Sequence, residues 1–151
     1  MEPDVLILRD PRESARRCSL TPLRGLEGIE FRAYAPGRRL DASGRVLLAT
    51  DGEPLGPDDA GKGLVLIDCS WRRVPRLRAT LDGDPAPRRL PPLVSAYPRR
   101  SRDFPDPAEG LASVEALYAA LALLGRTRPE LLHAYRWAAE FLAANPSLPR
   151  V

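Results

Sequence analysis

The chain has 151 residues, 44% of them apolar, with 23 basic and 20 acidic side chains and a net charge of +3. That length suits one domain, or one domain with a small appendage, and the apolar share is enough for a core that needs no staples. No apolar run approaches the ~18 residues of a membrane helix, and nothing at the N-terminus resembles a signal peptide, so a soluble cytoplasmic protein is expected.

The first strand is read at Val5–Leu8, a short apolar run broken by Asp10-Pro11. Residues 29–34 alternate apolar and polar positions and read as a second strand. Residues 45–49 and 64–67 read as two more, the latter continuously apolar, as a strand buried on both faces should be. Between them, Pro57 is placed for the first turn of a short helix over 56–60. A fifth strand is expected at 93–97. Residues 99–110, rich in Pro, Asp and Arg, read as a functional loop. A helix then starts with Ser113 as its cap and ends at Gly125, and a second runs from Pro129 to about Ala144. Strands separated by short helices make an α/β fold with a partly parallel sheet, followed by a C-terminal helical extension. The division expected is an α/β domain over 1–98, then a loop and helical domain over 99–151.

Charge is unevenly spread. Residues 72–102 hold nine arginines against Asp82 and Asp84, while 1–71 hold 10 basic and 12 acidic residues and 103–151 four and six. A basic stripe of this kind is the footprint of a polyanion partner, or else a solvated arginine-rich face. Several chemistries are missing. There is no Gly-x-Gly-x-x-Gly, no phosphate loop and no serine-hydrolase elbow. Cys18 and Cys69 belong to no Cys-x-x-Cys or Cys/His cluster and read as free thiols, and His133 has no partner at metal-ligand spacing, so no metal is expected.

The most pointed segment is Asp68-Cys-Ser-Trp71, at the carboxyl end of the buried strand over 64–67. Ligands of open α/β sheets bind at such ends. Asp68 is placed to accept a proton or orient a donor, or else caps the next helix. Trp71 offers a flat wall for an adenine or a sulfonium, or else belongs to the core.

Asp68-Cys-Ser-Trp71 resembles the hallmark of the small-subunit rRNA aminocarboxypropyltransferases, a SPOUT-like family of ribosome biogenesis. Other stretches agree in order: Arg17-Cys-Ser19; residues 47–59, with their acidic Gly-Pro-Asp-Asp turn; Arg89-Leu-Pro-Pro-Leu-Val-Ser-Ala-Tyr-Pro98; Ser113-Val-Glu-Ala-Leu117; and residues 135–145. Departures are Tyr97-Pro98 where the family has Asn-Pro, the longer loop over 99–110, and Trp137-Ala138 in place of Trp-Gly. The resemblance implies a knotted SPOUT-like sheet with a helical extension, and S-adenosylmethionine as cofactor. It implies transfer of the 3-amino-3-carboxypropyl group, not methyl, to a uridine- or pseudouridine-type base of small-subunit ribosomal RNA. By the same match, Leu48 and Leu90 line the adenine pocket, and Ser19 with Ala112 and Ser113 at the helix start holds the chain carboxylate. Trp71 walls off the methyl, Asp68 positions or deprotonates the base, and Arg72, Arg73, Arg76, Arg78, Arg88 and Arg89 meet RNA phosphates. The partner implied is rRNA or the pre-small-subunit particle, met by a monomer, and the arginine- and proline-rich composition suggests a bacterial member. The competing readings are a SPOUT-like RNA methyltransferase, a non-catalytic RNA-binding assembly factor, and a small-molecule enzyme or self-associating protein using residues 117–124.

Overall fold

The computed structural model describes residues 4–13, 18–97 and 111–149. Five strands form the main sheet: β1 (Val5–Arg9), β2 (Ile29–Ala33), β4 (Arg45–Pro54), β5 (Gly63–Asp68) and β7 (Ala86–Arg89), in the order β2-β1-β5-β4-β7. Every pairing in it is parallel. A two-stranded ladder, β3 (Leu40–Asp41) with β6 (Leu81–Asp82), is also parallel. The helices are α1 (Val74–Arg78), α2 (Ser113–Leu123) and α3 (Ala138–Ala144).

The central strands are apolar throughout because both of their faces are covered. Side chains alternate across a strand, so Val5, Ile7, Val46, Leu64 and Leu66 face one core while Leu6, Leu47 and Val65 face another. The larger core also takes Val114, Leu117, Tyr118 and Leu121 of α2 and Phe141 of α3. Helix α2 is buried nearly all round, which explains its almost uninterrupted apolar run. It stops at Gly125, whose φ of +82° lets Arg126 N–H reach back to the Leu121 carbonyl at 2.8 Å. The smaller core lies under Leu40 and Leu81 of the two-stranded ladder.

Three expectations are corrected. Residues 93–97 are not a strand; the fifth strand is β7, which carries Pro87 and two arginines and lies at the sheet edge, where proline is tolerated. Beside it, a Cβ on Gly52 would stand 2.4 Å from the Pro87 carbonyl oxygen, so only glycine lets β4 pass. The helix expected over 129–144 is a 3-10 turn, Pro129–Leu132, followed by α3. Its middle is given up to a contact between the Tyr135 and Trp137 rings, 5.8 Å apart and edge-on. Residues two apart do not face each other on a helix. Finally, the cap of α2 is not Ser113, which is its first helical residue; Ala112 holds the cap position. The capping bonds come from elsewhere, as described next. The loop expected over 99–110 lies outside the described residues.

Candidate active site at the carboxyl edge of the sheet

β1 and β5 run side by side in a register that pairs Arg9 with Asp68 at their carboxyl ends. Arg9 Nε donates to Asp68 Oδ2 at 2.9 Å, and Cys18 Sγ donates to the same oxygen at 3.1 Å. Arg9 Nη2 in turn reaches Cys18 Sγ at 3.2 Å. The Arg9 guanidinium also lies over the Phe31 ring, 4.6 Å from its centroid. Asp68 is therefore a buried, paired carboxylate with one oxygen engaged twice.

Acid accumulates around this pair. Asp10 is buried and accepts a hydrogen bond from Arg73 Nε. Glu13 has its carboxyl pushed above the usual range, first by burial and then by Asp68 and Asp10. Burial and the bond to Asp68 raise the Cys18 thiol, and burial with the nearby acids pushes Cys69 up to about 12. Both cysteines are thus neutral thiols near pH 7 and unsuited to nucleophilic work.

Ser19 follows Cys18 directly, and its Oγ accepts the Val114 N–H at 3.1 Å. This satisfies one of the open donors at the amino end of α2. Glu115 supplies the other capping bond: Oε1 accepts the Ala112 N–H at 2.8 Å. The Cys18-Ser19 pair therefore joins Asp68 on one side to the start of α2 on the other. Leu48, from β4, and Leu90, just past β7, are half-buried against the core that α2 fills, together with Leu93, Ala96 and Leu111. Trp71 opens the 3-10 turn after Ser70 and is 44% exposed, with the Arg72 guanidinium 5.9 Å from its ring.

The six arginines fall into two groups. Arg73 is committed to Asp10, Arg88 to the buried Asp59 at 3.2 Å, Arg78 to Asp51 at 2.9 Å, and Arg89 to the Gly52 carbonyl at 2.6 Å. Arg72 and Arg76 are exposed, on the turn after Asp68 and on α1. A cavity of about 310 Å³, lined by Leu47, Leu81, Ala86 and Pro87, opens on the small-core side, across the sheet from Leu48 and Ser19.

Two residues missed as site elements organise this edge. Glu115 is fully buried and accepts four hydrogen bonds: from Ser95 Oγ and the Ala112 N–H on one oxygen, and from the Ala96 N–H and Tyr135 Oη on the other, all at 2.7–2.9 Å. Asn145 accepts the Val94 N–H and donates to the Val94 and Phe141 carbonyls, each at 2.8 Å. The backbone of segment 93–97 is held at Val94 and Ala96 by these two side chains, not by a neighbouring strand. A glutamate in a first turn and an asparagine at a helix end read from sequence as ordinary caps, so nothing local marked them.

Comparison with known proteins shows the family. A family model described as "Ribosome biogenesis protein, C-terminal" matches residues 46–149. A 16S rRNA aminocarboxypropyltransferase of Vulcanisaeta distributa is 31% identical over 153 residues, covering 96% of this chain and 79% of its own. The chain belongs to the 16S rRNA aminocarboxypropyltransferase family. The member from Halobacterium salinarum is 40% identical over 93 residues, 60% of this chain and 53% of that protein. The structure of a SAM-dependent rRNA acp-transferase from Vulcanisaeta distributa superposes with a TM-score of 0.72 at 28% identity, covering 97% of this chain and 80% of that one. In this chain Glu115 and Asn145 bind the Leu-Val-Ser-Ala-Tyr segment to the last two helices.

Among the described residues no helix is long and apolar enough to cross a membrane, and no group of three or more His, Cys, Asp or Glu is placed to hold a metal.

Proposed function

We propose that this protein transfers the 3-amino-3-carboxypropyl group of S-adenosylmethionine to a uridine- or pseudouridine-type base of small-subunit rRNA. The observation that carries the reading is the match to the Vulcanisaeta distributa enzyme along 96% of this chain in sequence and 97% in structure.

The residues at the sheet edge fit the cofactor's chemistry. A ligand with a flat purine, a carboxylate and a positive sulfonium needs an apolar slot, an anion cradle and a nearby negative charge. Leu48 and Leu90 supply half-buried apolar surface. Ser19, Ala112 and Ser113 stand at the amino end of α2, where the helix dipole favours a carboxylate. Asp68 supplies the charge, and its pairing with Arg9 fixes its position. When bound, S-adenosylmethionine supplies a chain carbon activated by the adjoining sulfonium.

In this account Asp68 acts by holding its partners and orienting the acceptor, since one of its oxygens already accepts two hydrogen bonds. Trp71, with its indole in solvent, is the wall that faces the methyl group and leaves the chain carbon open to attack. Arg72 and Arg76 meet RNA phosphates directly. Arg73, Arg78, Arg88 and Arg89 do so from positions fixed by their acidic or carbonyl partners, contacts that place the RNA without reading its sequence. We further propose the knotted SPOUT-like connection of the parallel sheet, a cytoplasmic monomer, and the precursor of the small subunit as the particle met.

Calorimetric titration with S-adenosylmethionine tests the cofactor assignment. Binding on the order of micromolar is expected, and Trp71→Ala should weaken it at least tenfold with an unchanged circular dichroism spectrum. Equal affinity in the folded variant removes Trp71 from the site, and absence of binding by the cofactor-free wild type removes the transferase reading.

A further inference from the structure

The segment Val94–Tyr97 is fixed from behind and open in front. Glu115 holds Ser95 and Ala96, and Asn145 brackets Val94, so its backbone is set before any ligand arrives. Yet Val94 is 58% and Tyr97 38% exposed, two of the three large apolar side chains exposed among the described residues. Tyr97 continues into an aromatic group. Its ring meets Trp137 edge-to-face, centroids 5.2 Å apart at 70°, and Trp137 meets Tyr135 in the same way. Tyr135 is anchored through its hydroxyl to Glu115 at 2.9 Å, which ties the rings to the segment. The Arg136 guanidinium lies 5.6 Å from the Trp137 centroid.

Trp137 is half-buried between its ring neighbours, whereas Tyr97, held edge-to-face against it, keeps ring surface open to solvent. A held aromatic face beside an arginine fits a particular ligand. An unpaired nucleobase offers a flat π-surface, and the phosphates on either side of it offer charge for the guanidinium. The family acts on RNA, and a positive side chain at the edge of these rings suits a polyanion. We propose that Tyr97 and Trp137, flanked by Arg136, form a stacking platform for an unpaired base of the RNA substrate. The platform is distinct from the residues assigned to the cofactor, but Glu115 links it to the start of α2, so a base stacked there is held beside the cofactor edge. The inference rests on the RNA half of the proposed function.

The test is fluorescence anisotropy on cofactor-free protein, with a labelled single-stranded oligouridylate of about ten nucleotides and an RNA duplex of matched length. The wild type should prefer the single strand. Tyr97→Leu and Trp137→Leu should each weaken single-strand binding on the order of tenfold, leave duplex binding unchanged, and be rescued by Tyr97→Phe and Trp137→Phe. Should Trp137→Leu fail to fold, the exposed Tyr97 decides alone. A wild type without single-strand preference, or a Tyr97→Leu variant that binds like wild type, overturns the platform. Cofactor plays no part in this measurement, so failure of stacking and failure of S-adenosylmethionine binding are read separately.

Discussion

Glu115 shows how far one side chain can organise a site it does not enter. Its carboxylate gathers donors from the 93–97 segment, the start of α2 and Tyr135, and it has no exposure to water. Glu115→Gln turns one acceptor oxygen into a donor that faces other donors, which should cost about 2–4 kcal/mol. Urea denaturation measures this; a loss below about 0.5 kcal/mol would mean that the network is dispensable. The cysteines make a second residue-scale prediction. The Cys69 thiol is raised from 9.0 to about 12, so its folded pKa lies above its unfolded one. Its contribution to stability is then complete below pH 9 and lost as the pH climbs toward 12. Cys69→Ala should flatten the alkaline fall of the melting temperature, and wild-type Cys69 should react slowly with a disulfide reagent at neutral pH. Rapid labelling of the folded protein would contradict the half-buried, acid-flanked thiol.

At the scale of elements, the strands at 5–9 and 63–68 were legible because a strand covered on both faces must be apolar at every position, whatever its partner. Strand β7 was not, since Ala86-Pro-Arg-Arg89 carries no apolar signal and is held by the neighbouring β4 alone. The false strand at 93–97 and the overlong last helix share a cause. Both are set by side chains distant in sequence, Glu115 with Asn145 in one case and Glu115 holding the Tyr135 hydroxyl in the other. The meeting of Ser19 with the start of α2 spans 95 positions and was reached only through resemblance to a family. The basic segment likewise divides by element. Arg76→Ala, on the open face of α1, should weaken RNA binding, lower the salt slope by about one and leave stability within about 0.5 kcal/mol. Arg88→Ala, on β7, leaves the buried Asp59 with only the Gly56 N–H and Lys62 and should cost about 1–3 kcal/mol. Salt-dependent RNA binding and urea titration of both variants check the division; equal stability losses would contradict it.

For the molecule as a whole, the parallel sheet brings Arg9, Leu48, Asp68 and Leu90 to one edge by strand direction alone, and α2 brings its amino end to the same edge through Ser19. The basic segment begins at the turn that leaves this edge, so cofactor and RNA would approach from one side. The decisive measurement is label transfer into small-subunit rRNA from S-adenosylmethionine labelled on the carboxyl carbon, run beside S-adenosylmethionine labelled on the methyl. Transfer of the carboxyl label with the methyl label left in solution is the predicted result. Transfer of the methyl label instead would make the protein a methyltransferase and contradict the account.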